Sequence, residues 1–406
     1  MPLKAITSTI MEEHPQARFI VETLSCHGFI AYYAGGWVRD YLLKSPSDDI
    51  DIATNAPPET IQALFPKTVP IGISFGIILV IVDGREYEVA TFRSDLDYRD
   101  GRRPSRIEFT TAQEDAKRRD FTINGMFYDP LTNQIFDYVE GRLDLERKLI
   151  RAIGDPHQRI HEDRLRMLRA IRLSCRLHFH IDEATQDAIR AHASELLPAV
   201  AIERIVQELE KSLAFGNLHH MLIKLHEFGL LAAIFPSLKQ LSLSDLEENL
   251  KPLEHFPKDA PLIAYLLQII PDPNLAKQLK LPNFQHQFAL FFMRAKNLSS
   301  EAELFEWAYL YASPFAETAI LILAALTPFQ KRPQFLEAHH ERQHLLMRQI
   351  ERIRNKDPLI TAADLLEKGI PAGVEMGRLL RIAEHFAINN QIENKKIVLD
   401  YLFQGA

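Results

Sequence analysis

Asp49 and Asp51 stand two residues apart in the run Ser47-Asp48-Asp49-Ile50-Asp51-Ile52-Ala53-Thr54. Ile50, Ile52 and Ala53 read as a strand with its apolar side chains on one face, so alternation sends both carboxylates to the other. Like charges that close repel unless something neutralises them, and a hard divalent cation that takes oxygen ligands does so. Just upstream, Gly35-Gly36 offers a bare backbone turn, with Arg39 and Asp40 following where a helix opens. Such a turn lets N–H groups and a guanidinium approach phosphate oxygens. The joint spacing predicts a metal held beside a polyphosphate.

Four further segments carry chemistry. Gly76–Val82 and Glu86–Phe92 flank Asp83-Gly84, a strong hairpin signal, and alternation on the second strand puts Glu88 opposite Tyr87 and Val89 as a candidate third carboxylate. The polar, glycine-containing stretch Asp97–Pro104 has the composition of a mobile active-site loop. In Arg118-Arg119-Asp120-Phe121-Thr122-Ile123-Asn124, a helix would bring Asp120 and Asn124 to one face beside Arg119, where they suit a ribose hydroxyl and a phosphate. A single helix over His161–Arg172 would line up Glu162, Arg166, Arg169, Arg172 and then Arg176, with Asp163 one turn below Arg166 and Met167, Leu168 and Ile171 turned to the core. A carboxylate beside a guanidinium matches cytosine and adenine, which present an amine donor next to a ring-nitrogen acceptor; guanine and uracil present the reverse. His157 and His161 are four apart, but Gln158 stands where a zincin has Glu, so zinc hydrolysis is not indicated.

The elements that hold these groups fall into two regimes. From Ala34 to about residue 138 short β-type runs alternate with turns; beyond about residue 150 the chain is almost wholly helical and punctuated by proline. This predicts an α+β head, residues 1–150, with a mixed or antiparallel sheet; an all-α neck, 151–215; and a helical body and tail, 216–406. The length suits two or three domains at roughly 150 residues each. No apolar run approaches the ~20 residues of a membrane span, and the first residues lack the pattern of a secretory signal. Two cysteines, Cys26 and Cys175, make no disulfide framework, which fits a reducing cytoplasm. The net charge of −7 excludes wholesale coating of nucleic acid, yet Arg142–Arg176 holds ten Lys/Arg against five Asp/Glu.

In their order, GGWVRD with DDIDIAT, YEVATFR with YRDGRRP, RRDFTIN, DYVEGRLDL, EDRLRMLRAIR and ERIVQELEKSL resemble the class II tRNA nucleotidyltransferases and bacterial poly(A) polymerases, over about residues 32–213. The resemblance implies a polymerase-β-like head and template-independent addition of CCA to tRNA 3′ ends from CTP and ATP, with Mg²⁺ as cofactor. It implies that Asp49 and Asp51 bind metal with Glu88 at the same site. Gly35, Gly36, Arg39 and Asp40 then form the triphosphate turn, and Arg119, Asp120 and Asn124 hold ribose and phosphate. Asp163 and Arg166 read the base, with Arg169 and Arg172 extending the nucleotide-contacting stripe. Where many CCA-adding members carry a Lys-His-Gly-Thr-like run, this chain has Ser74-Phe75-Gly76-Ile77, so CC-adding, A-adding and poly(A)-adding subtypes stay open. A catalytically dead tRNA-binding protein would be expected to have lost Asp49 or Asp51, and both are present.

Overall fold

The computed structural model describes residues 14–45, 47–72, 75–98 and 104–403. The first residues, Ser74 and positions 99–103 of the expected mobile loop lie outside the described residues. The chain divides into two compact units, Met1–Leu243 and Ser244–Ala406.

The first unit opens with α1 (Pro15–Cys26), β1 (Ala31–Ala34), α2 (Gly36–Leu42), β2 (Asp51–Thr54), α3 (Pro58–Leu64), β3 (Thr68–Gly72), β4 (Ile77–Val82) and β5 (Arg85–Thr91). There follow β6 (Arg93–Tyr98), β7 (Pro104–Phe109), α4 (Ala112–Lys117), a 3₁₀ turn at Thr122–Asn124, β8 (Phe127–Asp129), β9 (Gln134–Phe136) and α5 (Gly141–Glu146). Seven strands form one sheet in the order β3-β4-β5-β2-β1-β8-β9, and β6 and β7 pair separately. All neighbours in the large sheet are antiparallel except β2 and β5, so the mixed architecture holds.

Asp83 and Gly84 close the β4–β5 hairpin at φ 50° and 80°, with Val82 paired to Arg85. Two consecutive positive φ values are those of a type I′ turn, whose twist suits the strands it joins. The expectation of one apolar face on β2 needs correction. Ile52 and Ala53 are both buried on successive positions, because the strand is central and each face is covered. Ala53 packs with Ala34, Phe92, Ala116 and Phe127. The strand also begins at Asp51, leaving Asp49 just before it.

Beyond the sheet come β10 (Leu149–Ile150), α6 (Pro156–Glu162), α7 (Arg166–Leu177), β11 (His180–Ile181), α8 (Glu183–His192), α9 (Leu196–Ala199) and α10 (Ile202–Ala214). The parallel pair β10–β11 ties residue 150 to residue 181, so the helices after the expected 150/151 boundary belong to the same compact unit as the sheet. The second unit is helical, with one core around Trp307, Tyr311 and Ile350 and another around Leu365, Ala383 and Val398. Among the described residues no single helix is long and apolar enough to cross a membrane.

The run Asp137-Tyr138-Val139-Glu140-Gly141 has a local bracing role in the fold. Asp137 accepts the Gly141 N–H at 3.0 Å, and Asp144 takes the Thr122 hydroxyl at 2.7 Å. Any Cβ on Gly141 would run into the Thr122 carbonyl oxygen and come within 2.9 Å of Met126 Cγ. Gly141→Ala is therefore expected to destabilise the protein by about 1–3 kcal/mol, the cost of overpacking. Thermal unfolding checks this, and an unchanged midpoint would mean the 3₁₀ turn is not braced here.

Candidate active site

A pocket of about 770 Å³ in the first unit gathers every expected site residue except Asp40. Its acidic corner follows from strand register. β2 and β5 run parallel with Ile52 opposite Val89, which brings Asp51 level with Glu88. Gly35 adopts φ 69°, a left-handed value that favours glycine, and a Cβ there would stand 3.2 Å from Arg119 Nη1 and 3.8 Å from Asp51 Oδ2. The turn thus sets a guanidinium against the carboxylates with no side chain between.

Burial within the pocket, followed by repulsion from Asp49 and Glu88, pushes the Asp51 carboxyl up to about 6. Arg119 and Arg169 pull the other way without cancelling it. Asp51 still touches water at the pocket surface, so the penalty is partly screened. A cation would remove what remains. Among the described residues no three His, Cys, Asp or Glu side chains converge on one point. Asp49, Asp51 and Glu88 are hard oxygen donors of the kind a small dication takes, with water and phosphate oxygens as its other partners.

Most of the arginines are held by carboxylates. Arg39 donates from Nε and Nη2 to Asp40 at 2.8 and 2.9 Å and from Nη1 to Asn124 Oδ1 at 2.7 Å. All three nitrogens are engaged in the protein, so Arg39 braces the glycine turn, and Asp40, which also receives Arg176 at 2.9 Å, sits behind the pocket wall. Asn124 donates to Asp120 at 3.1 Å, and Arg169 Nε donates to the other Asp120 oxygen at 2.8 Å. Burial alone would raise the Asp120 carboxyl; Arg169, with hydrogen bonds from Asn124 and the Phe121 N–H, outweighs it and holds the group well below the usual range. Asp120 and Asn124 do meet, but across a 3₁₀ turn instead of the expected α-helix. Arg119 spends Nε and Nη2 on Asp115 at 3.2 and 3.0 Å and points Nη1 toward the glycine turn.

The single helix expected over His161–Arg172 is broken. α6 ends at Glu162, Asp163 is extended at φ −147°, and α7 starts at Arg166. Asp163 Oδ1 accepts the Leu165 N–H at 3.1 Å, a local bond that competes with helix. Arg204 from α10 then grips both carboxylate oxygens at 3.1 and 2.8 Å. The expected Asp163–Arg166 stack is replaced by two separate pairs, because Arg166 turns to Glu162 at 2.7 Å. Both residues still line the pocket. Met167, Leu168 and Ile171 are fully buried as expected. Arg172 is buried against Glu208, also of α10.

Sequence reasoning missed Arg118, Leu173, Arg204, Lys211 and Phe215 as lining residues. Arg204 and Glu208 are four apart in ERIVQELEKSL, with Ile205 and Leu209 buried beside them. That charged pair on one helix face was the available signal.

With this geometry in hand, residues 31–151 match the family described as "Poly A polymerase head domain", and residues 178–241 match "Probable RNA and SrmB- binding site of polymerase A". A CCA-adding enzyme of Pediococcus pentosaceus is 34% identical over 400 residues, 96% of this chain and 97% of that enzyme. The chain belongs to the CCA-adding enzyme family. Another member, from Staphylococcus saprophyticus, is 46% identical over 214 residues, which is 51% of this chain and 53% of that protein. The Bacillus stearothermophilus CCA-adding enzyme, solved in complex with CTP, superposes with a TM-score of 0.78 at 30% identity and 97% coverage of both chains. CCA-adding enzymes are nucleotidyltransferases that use a divalent metal, and the acidic corner of Asp49, Asp51 and Glu88 is where this chain's residues fit one.

Proposed function

We propose that this protein adds C, C and A to tRNA 3′ ends from CTP and ATP without a nucleic-acid template, releasing pyrophosphate at each step. The observation that carries the reading is the joining, in one pocket, of the carboxylate corner and the pair Asp163 and Arg166. Full-length likeness to CCA-adding enzymes supports it. Asp49 and Asp51 would hold Mg²⁺, with Glu88 beside them; when bound, the ion lowers the barrier by favouring the 3′-alkoxide and offsetting charge on the leaving pyrophosphate. The bare backbone of Gly35-Gly36 admits the triphosphate, Arg119 Nη1 and Arg169 face it, and the Arg39–Asn124–Asp120 chain keeps that wall rigid.

Asp163 is positioned for base reading by what it has left. Its two oxygens offer about four lone-pair sites, of which Leu165 N–H and the two Arg204 nitrogens take three. Arg166 spends Nη1 on Arg159 O and Glu162, and one Nη2 hydrogen on Arg118 O. One acceptor and two N–H donors stay free, the set that cytosine and adenine require.

Within the first unit, residues 1–150 serve as the catalytic head and 151–215 as the neck; residues 216–406 serve as a tRNA-binding body and tail. The unpaired Cys26 and Cys175 support a cytoplasmic site of action. The test is direct: incubate the protein with tRNAs ending before C, after CC and after CCA, supply each nucleotide singly, and sequence the 3′ ends. Growth that stops at CCA is the expected result. Growth that stops at CC, or runs on as poly(A), would move the protein to another subtype.

A further inference from the structure

Phe215 is half exposed, and it stands in a pocket whose other lining is charged or polar apart from two glycines and Leu173. The Arg176 guanidinium lies over its ring at 4.2 Å from the centroid and is itself anchored to Asp40. One face of the ring is therefore covered and the side chain is pinned. The backbone is fixed as well: α10 ends at Ala214, Gly216 takes φ 72°, and Gly216 and Asn217 N–H groups return to Leu213 and Ser212 carbonyls at 2.8 and 3.0 Å.

One helical turn earlier lies Lys211. Its nearest carboxylate oxygen belongs to Glu208 at 3.9 Å, and Glu208 is already bound to Arg172. The Lys211 side chain is 56% exposed, and the arginines around the pocket all have closer partners. Its charge is the one left most available for a phosphate.

Position along α7 decides which substrate meets this pair. Arg166 and Arg176 are ten residues apart, about 15 Å of helix. A base read at Asp163 and Arg166 therefore stands at the far end of α7 from the Phe215–Arg176 pair, so the ring is left for a different base, one belonging to the other reactant. We propose that Phe215 and Lys211 form a subsite for one nucleotide of the RNA 3′ end, the ring stacking a base and the ammonium meeting a phosphate. Single-stranded RNA is held in this way by aromatic faces beside basic groups, and the stack tolerates any base. The proposal rests on the reading of the pocket as a CCA-adding site.

The experiment is steady-state kinetics with a tRNA lacking its CCA, varying RNA and CTP in turn. Phe215→Leu keeps apolar bulk and removes the π face. It should raise the KM for RNA on the order of 10- to 100-fold and leave the KM for CTP within about two-fold, while Phe215→Trp restores the wild-type value. Lys211→Met should weaken RNA binding for all sequences and reduce the salt dependence by about one ion. Circular dichroism and thermal unfolding establish that each variant is folded. An active wild type with Phe215→Leu equal to it, or with the loss falling on CTP instead, overturns the subsite alone, as does a Trp variant that behaves like Leu. A folded wild type that extends no RNA overturns the functional reading beneath it.

Discussion

Asp49→Ala and Asp51→Ala each reduce addition of both C and A by on the order of 10³-fold or more, while RNA affinity stays within a few-fold of wild type. The size follows from losing a group that holds the dication, which contributes several kcal/mol at the transition state. Retained binding follows because affinity for RNA comes mainly from cations meeting phosphates, and neither variant removes one. Glu88→Gln should cost less than either. Its charge reaches Asp51, yet no three-carboxylate cluster is assembled among the described residues. Single-turnover rates at saturating metal, with filter binding in parallel, separate the three. More than a few per cent of wild-type turnover in Asp49→Ala or Asp51→Ala would remove the metal assignment, and a Glu88→Gln loss equal to theirs would make Glu88 a direct ligand.

What could be read from the chain was local. Asp83-Gly84 announced a hairpin because a type I′ turn is specified by the two residues that make it. The Gly35 turn was legible for the same reason, but Asp49 lies outside β2 and Asp51 is set beside Glu88 by pairing with β5, which the sequence does not show. The helix over His161–Arg172 was misread because periodicity registers apolar spacing and cannot see Arg204. That residue lies 41 positions away and holds Asp163 in an extended conformation. The arginine stripe was correctly placed on one face, but composition could not show which members were spoken for. Arg172 and Arg39 turned out to be neutralised in the protein, by Glu208 and Asp40. Their roles became visible only once helices distant in sequence were packed together. Gly141 shows the same limit from the steric side, since its need for space comes from Thr122 and Met126.

Asp163→Ala and Arg166→Ala are the variants that test amino-acid reading of the base. The free lone pair on Asp163 Oδ2 can accept the amine hydrogen of cytosine or adenine and repels O4 of uracil and O6 of guanine. The unused donors of Arg166 meet N3 of cytosine or N1 of adenine and clash with the N–H that uracil and guanine place there. Each contact is worth about 1–3 kcal/mol of discrimination, so each variant should lower kcat/KM for CTP and ATP together by roughly 10- to 100-fold. The margin over UTP and GTP should narrow by a similar factor, because the repelling group has gone. Arg204→Met should act in the same direction through Asp163, whose carboxylate it orients. An exposed ion pair would behave otherwise: its loss costs under about 1 kcal/mol of stability and leaves nucleotide choice alone. Values of kcat/KM for all four nucleotides decide between the two. An unchanged preference for C and A over U and G in both variants would refute the base-reading role and leave Asp163 as the residue that ends α6.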